Sequence, residues 1–321
     1  MEYHRLGDSD LLVSSIAFGG EAIGGTDWGP IDDKQSLLAI GRALDCGINL
    51  FDTADAYGLG RSEEILAKGL GAKRKDVIIA TKFGVNWTND PNGGRARTRF
   101  DSSPRHTLAA LEASLRRLQI DVIPLYQIHW PDPKTPIGDT LEALIQAREA
   151  GKIKHIGVSN FSIDQIREAQ NLINLSSVQI SYNLLSHRSR AETVNHCARM
   201  GTGVIVYGVL AQGLLTGKYD AQSTFGSDDR RSRLLHFQGV QLERNLAILD
   251  LVSQLAARYG KTSGQVAIRW VLQQPGVTCA AIGSKTPAQV DENVAAMEWR
   301  LAEEDVAYLS VLSEDSQNVS A

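Results

Sequence analysis

Eight short runs rich in β-branched and apolar residues recur along the chain, alternating with longer segments of helical spacing, and this alternation restricts the fold more than any other feature. The runs are "SIAFGG" (15–20), "INLFDT" (48–53), "VIIATK" (77–82), "VIPLYQIH" (122–129), "IKHIGVSN" (153–160), "SVQISYN" (177–183), "GVIVYG" (203–208) and "TCAAIGS" (278–284). Most are too short for helices, and several are too continuously apolar for a sheet with one wet face. Between them, Leu37, Ile40, Ala43 and Leu44 of "DKQSLLAIGRALDCG" fall at helical intervals, and Gly47 supplies a stop. Similar helices are expected in "RSEEILAKGLG", "SPRHTLAALEASLRRLQ", "IGDTLEALIQAREAG", "SIDQIREAQNL", "RAETVNHCARMG" and "TPAQVDENVAAM". Strands alternating with helices predict a parallel sheet closed into a (β/α)8 barrel. An open doubly wound sheet is the rival, but no G-x-G-x-x-G opens a helix after the first strand.

Two stretches break the alternation. Residues 83–103 are polar and turn-forming and read as an extended loop after the third strand; residues 208–239 separate the seventh strand from a helix starting near Gln241. Both follow strands, so both belong to the face where barrels carry their sites. With no repeat or linker, residues 1–321 read as one domain.

Composition closes off several functions. Lys and Arg number 33 against 37 Asp and Glu, and a net charge of −4 argues against a general nucleic-acid binder. Cys46, Cys197 and Cys279 are far apart and odd in number, which indicates neither a disulfide framework nor a zinc site. The N-terminus lacks a secretory pattern and no apolar run reaches membrane-spanning length, so the expectation is a soluble cytoplasmic protein acting on a small molecule, without membrane insertion. No heptad or obvious edge strand indicates an oligomer.

The strand ends carry the chemistry. Asp52 and Tyr57 of "FDTADAYG", Lys82 of "VIIATK" and His129 of "VIPLYQIH" leave three consecutive strands, which are spatial neighbours in a barrel. A phenol titrates near pH ~10, too weak an acid to give up its proton readily at neutrality. A lysine nearby is expected to lower that value, an aspartate to hold the lysine charged and oriented, and the imidazole to hydrogen-bond a carbonyl oxygen or the phenol. Together these make a proton donor aimed at a carbonyl. Asp55 reads as a turn residue bonding local amides.

"FDTADAYG", "ATKFG", "QIHWPDP", "GVSNF", "YGVLAQGLLTGKY" and "AIGSKTPAQVDEN" closely resemble the aldo-keto reductase superfamily, in order and spacing, from about residue 3 to about residue 310. The nearest likeness is to the branch of bacterial reductases and potassium-channel β-subunits. The resemblance implies a barrel preceded by a β-hairpin in "YHRLGDSDLLVS" that binds a nicotinamide cofactor without a Rossmann domain. It also implies Tyr57 as general acid/base, Asp52 and Lys82 as the pair that tunes it, and His129 as the carbonyl-orienting group.

For the cofactor, resemblance assigns Ser159, Asn160 and Gln179 to the carboxamide and Tyr207 to stacking on the ring. The family's common Tyr-Ser-Pro-Leu reads Tyr207-Gly208-Val209-Leu210, which removes a serine contact to phosphate. In "LAQGLLTGKY", which starts at Leu210, glycines such as Gly213 allow close backbone approach, and Lys218 is either a pyrophosphate contact or a solvated loop charge. Ser284 and Lys285 precede a helix start that favours an anion. Resemblance places the adenosine 2′-phosphate there, with Gln289 and Asn293 toward the adenine, so NADP(H) is expected over NAD(H). A lysine grips phosphate less well than the arginine of many relatives.

Trp28, Trp87 and Trp130 follow strands one, three and four and are expected to line the substrate pocket or plug the barrel top. Arg230, Arg231 and Arg233 read as a solvated run. Asn86, Asn89 and Asn92 hint at a hydroxylated or sugar-like carbonyl. Two other functions fit the same fold: a sugar or inositol dehydrogenase working oxidatively, and an NADPH-binding regulatory subunit of a membrane channel.

Overall fold

Strands apolar on both faces stay dry only if the sheet closes on itself and helices cover its outside. The computed structural model does this, and it describes residues 1–29, 31–88 and 96–312. An antiparallel hairpin, β1 (Tyr3–Arg5) and β2 (Leu12–Ser14), pairs Tyr3 with Ser14. Eight parallel strands follow: β3 (Ile16–Gly19), β4 (Leu50–Asp52), β5 (Ile78–Phe83), then, after a hairpin of β6 (Val85–Thr88) and β7 (Arg97–Phe100), β8 (Ile123–Ile128), β9 (Ile153–Ser159), β10 (Ser177–Ser181), β11 (Gly203–Tyr207) and β12 (Cys279–Gly283). They close in sequence order, with β12 pairing back to β3 through Ala280 and Ile16.

The helices between them are α1 (Asp33–Asp45), α2 (Arg61–Leu70), α3 (Pro104–Leu118), α4 (Ile137–Glu149), α5 (Ile163–Leu172), α6 (Ala191–Arg199), α7 (Gly239–Tyr259) and α8 (Ser263–Leu272). After β12 come α9 (Pro287–Val294) and α10 (Glu303–Leu312). Local signals set their ends. Asp32 caps α1, Ser162 and Thr262 form capping boxes on α5 and α8, and Pro104 and Pro287 occupy first turns.

The apolar core divides in two. Outward residues such as Phe51, Ile79, Tyr126 and Ile156 pack against the helices. Inward Ala17, Leu50, Ala80, Leu125 and Ile205 fill the barrel together with Leu6, Leu11 and Val13 from the β1–β2 segment. That segment therefore plugs one end of the barrel, and the opposite mouth, where the strands end, is left for polar groups.

The eight barrel strands fall within the eight runs read from sequence, apart from Phe83 at the end of β5. The stretch after β5 departs from expectation: it contains the antiparallel β6–β7 pair, with Trp87 opposite Thr98, where an extended loop was anticipated. Two four-residue strands carry little periodicity, though the glycines and asparagine of "NDPNGG" between them were a hairpin signal. Asn89 and Asn92 lie outside the described residues. In the stretch after β11, short 3₁₀ turns at Ala211–Thr216, Arg230–Arg233 and Leu235–Phe237 precede α7, which starts at Gly239, close to the expected Gln241. Helices α8 and α10 are additions to the sequence reading.

Candidate active site

The polar residues of the mouth leave β4, β5 and β8 in step. Asp52 pairs with Ala80 and Lys82 with Gln127, and bonds from Thr53 N to Ala80 O (2.8 Å), Asp55 N to Lys82 O (3.1 Å) and His129 N to Phe83 O (2.8 Å) continue the ladder beyond the strands. Side chains far apart in sequence are thus held by backbone that cannot slip without breaking the barrel.

Lys82 is wholly buried and spends its ammonium on three oxygens: Asp52 Oδ2 and Thr53 O, each at 2.8 Å, and the Tyr57 hydroxyl at 3.3 Å. A buried ion pair is tolerable only when its remaining lone pairs are satisfied. Gln179 does so from across the barrel, donating Nε2 to Asp52 Oδ1 at 2.7 Å. This engages Gln179, expected on a cofactor amide, with the aspartate.

Tyr57 follows a turn that must fold tightly. The hydroxyl reaches Lys82 because the loop after β3 lies directly against the Tyr57 loop: a Cβ on Gly58, whose φ is +62°, would sit 1.8 Å from Gly24 O. Glycine is required there by both sterics and backbone. His129 stands edge-on to the phenol ring, 5.5 Å between centroids at 84°, and its Nδ1 is buried without a partner. Burial, reinforced by the Lys82 charge, pushes its pKa well below the ordinary histidine value, so the imidazole is neutral.

One expectation is corrected. The phenol of Tyr57 is pushed well above its usual value, first by desolvation and then by the carboxylates of Glu21 and Asp52, against an expected lowering by lysine. The physical reason is that Asp52, at 2.8 Å, already offsets the ammonium charge, whereas the loss of water around the ring is opposed only weakly by the Arg230 charge. Tyr57 is therefore a firmly protonated donor.

The second half of the mouth is built differently. Asn160 adopts a left-handed φ of +62°, and its amide donates to His129 O (3.0 Å) and Ser159 Oγ (3.1 Å) while its oxygen accepts from the Tyr207 hydroxyl (2.6 Å). Tyr207 is so fixed at the exit of β11, and burial pushes its phenol up to about 12. Leu210 packs on the core, and Gly213, at φ +93°, lies beside Lys218, whose ammonium is 4.9 Å from the Tyr219 ring. Ser284 accepts from Asn293 at 3.0 Å; Lys285 N donates to Gln289 Oε1 at 2.7 Å, and Lys285 Nζ to Trp28 O at 2.5 Å.

The arginine run is a further correction. Arg230 bonds Glu21 at 2.5 Å, Arg233 bonds Asp27 at 2.9 Å, and Arg231 is clasped by Asp229 and Tyr219. Arg230 and Arg231 lie 5.6 and 5.9 Å from the Trp28 ring. A loop charge becomes a structural clasp when carboxylates from another loop meet it, which no local pattern announces. Trp28 accordingly stands among cations on the Lys285 side. Trp130 lies beside His129, 6.4 Å between centroids, and Phe100 from β7 covers it at 6.1 Å. Phe100 escaped the sequence reading because its hairpin did. Trp87 is partly exposed on β6.

Among the described residues no cluster fit to hold a metal occurs, and no helix is long and apolar enough to cross a membrane.

The model of the aldo/keto reductase family matches residues 15–314. An aldo-keto reductase of Bacillus subtilis is 39% identical over 98% of this chain and 95% of its own length. An NADH-specific methylglyoxal reductase of Escherichia coli is 34% identical, covering 96% of this chain and 97% of that one. Among solved structures, a glycerol dehydrogenase of Gluconobacter oxydans superposes with a TM-score of 0.88 at 36% identity over 99% of both chains.

Proposed function

The chain belongs to the aldo/keto reductase family, oxidoreductases that work on carbonyl groups with a nicotinamide cofactor, and from that premise we propose that it reduces an aldehyde or ketone to the alcohol with NADPH, Tyr57 delivering the proton. The observation that carries this reading is the Lys82 ammonium bonded at once to Asp52 and to the Tyr57 hydroxyl.

The residues of the mouth suit a nicotinamide. Tyr207 offers a ring held by Asn160, Ser159 and Asn160 lie one step away, and Lys285 stands just ahead of α9. When bound, the cofactor supplies a hydride to the carbonyl carbon. The substrate oxygen is received between the Tyr57 hydroxyl and His129, whose neutral ring can donate a hydrogen bond without adding charge. As negative charge grows on that oxygen, Tyr57 passes it the phenolic proton and the resulting phenolate rests on Lys82 Nζ. Asp52, braced by Gln179 Nε2, keeps the ammonium in place, and the Gln179 amide oxygen is left to accept from the carboxamide. In the oxidative direction the same groups take the proton back.

Trp130 and Trp87, with Phe100, are proposed as walls of the substrate pocket, and Trp28, whose carbonyl holds Lys285 Nζ, as a wall beside the cofactor phosphates, to which Lys218, Leu210 and Gly213 are also assigned. NADPH over NADH rests on Lys285 near the N-terminus of α9, with Gln289 and Asn293 lining that end. Polyol oxidation is the second reading, favoured by the likeness to a glycerol dehydrogenase.

Steady-state oxidation of NADPH and NADH over a panel of aldehydes, ketones, dicarbonyls and keto-sugars, with Tyr57→Phe in parallel, tests the proposal. Rapid turnover that collapses in the variant supports it. Cofactor binding with no carbonyl turned over faster than in the variant would sink it and favour a regulatory, channel-subunit role.

A further inference from the structure

Behind the Lys82 strand lies a polar chamber that the proposed reaction does not use. Thr81 faces outward where Lys82 faces the barrel, and its hydroxyl donates to Glu63 Oε1 at 2.6 Å; Glu63 Oε2 accepts from Arg117 Nε at 2.6 Å. Tyr126, the cross-strand partner of Thr81, is wholly buried and its hydroxyl has no partner. Asp55, 1% exposed, hangs from the backbone of Lys82 through its amide, and its Oδ1 is likewise buried and unpartnered.

The charges of the chamber do not balance if every acid ionises. α2 contributes Glu63, the loop before it Asp55, α3 contributes Arg117, β5 contributes Lys82, and β8 contributes the neutral Tyr126. Arg117 is committed to Glu63, and Lys82 to Asp52 on the other face of the strand. A second carboxylate in this space would have only the Ala56 amide and two cations already paired elsewhere, Arg117 with Glu63 and Lys82 with Asp52, to set against the loss of solvation. Ionised, it would also pull on Lys82 in competition with Asp52.

We infer that Asp55 is held as a neutral carboxylic acid and serves as a positioning residue, keeping Lys82 committed to Asp52 and fixing the two-residue step that carries the Tyr57 hydroxyl. A retained proton leaves the buried, unpartnered Oδ1 of Asp55 without a charge to solvate. Burial and the neighbouring Glu63 both push the carboxyl in this direction, well above its ordinary 3.8. The aspartate lies in a turn and bonds the local Ala56 amide, as its sequence reading expects, and it is buried there as well.

The test compares the natural chain with Asp55→Asn, which keeps the shape and neutrality, and with Asp55→Ala. A carboxyl protonated when folded and ionised when unfolded weakens folding as pH rises. The folding equilibrium of the natural chain, relative to Asp55→Asn, should therefore lose about tenfold per pH unit from just above pH ~4 until the folded carboxyl titrates. Infrared spectroscopy at neutral pH should show a protonated-carboxyl band that Asp55→Asn lacks. In turnover, Asp55→Ala should lose about tenfold to a hundredfold in kcat, and Asp55→Asn should recover most of it. Stability ratios that stay parallel across pH, or no protonated carboxyl at neutrality, would overturn the inference. Only the kinetic arm rests on the proposed reaction, so the infrared and stability arms separate its failure from the failure of that reading.

Discussion

The two halves of the mouth hold their cations in opposite ways. Lys82 lies on a barrel strand, fully buried, with its donors already facing Asp52, Thr53 and Tyr57. Lys285, Arg230 and Arg231 lie on loops; Lys285 and Arg230 are tied to Trp28 O and Glu21 on the loop after β3, and Arg231 to Asp229 two residues before it. The first arrangement needs no rearrangement to act. The second must exchange internal partners for those of any phosphate it receives, so part of the binding energy goes into reorganisation. The Lys82 end is preorganised by strand pairing, and the end proposed to take the cofactor phosphates is closed by loop hydrogen bonds and ion pairs.

That contrast can be broken most severely at Asp52. Asp52→Ala leaves an ammonium buried without its counter-ion, and chemical denaturation should show a loss of about 3–5 kcal/mol. Tyr57→Phe keeps the packing and removes only the donor, so kcat should fall by about 10²–10⁴ while cofactor affinity by fluorescence titration stays within about twofold of the natural chain's. A smaller effect is expected at the loop end: Lys285→Ala should weaken NADP(H) binding by about tenfold to a hundredfold and leave NAD(H) nearly unchanged. Equal losses for both cofactors would mean that Lys285 supports the Trp28 loop and does not read the phosphate. The least effect belongs to Arg233→Ala, where an exposed pair with Asp27 is worth about 0–1 kcal/mol in stability; faster cofactor exchange in stopped flow would identify it as part of the gate.

pH sharpens the same comparison. Reduction needs the protonated phenol, and Tyr57 is raised above its ordinary 10.0, so reductive kcat should hold through neutrality and fall only in the strongly alkaline range. A decline below pH 8, at saturating cofactor, would show that Lys82 lowers the phenol as sequence reasoning expects.

Legibility followed the same division. Each barrel strand was visible as a run such as "VIIATK", because a strand buried on both faces must be apolar throughout and its crossover helix must be amphipathic. Asp52, Tyr57, Lys82 and His129 were visible because consecutive strands are neighbours, which makes a set distant in sequence predictable in space. The β6–β7 pair was not, since four-residue strands outside the barrel bury little and leave weak periodicity. Nor was the clasp of Arg230 on Glu21, which joins loops 209 positions apart.

The sequence by itself determined the closed barrel, the order of its strands and the residues delivered to its mouth, because periodicity and neighbour pairing are local rules repeated eight times. Tertiary structure alone decided what each of those residues experiences. It gave Gln179 to Asp52, stacked Trp28 among arginines, raised the Tyr57 phenol and sealed Asp55 beside Glu63. Partner, burial and charge balance are properties of side chains brought together from distant segments, and a protonation state follows from that company rather than from the residue type.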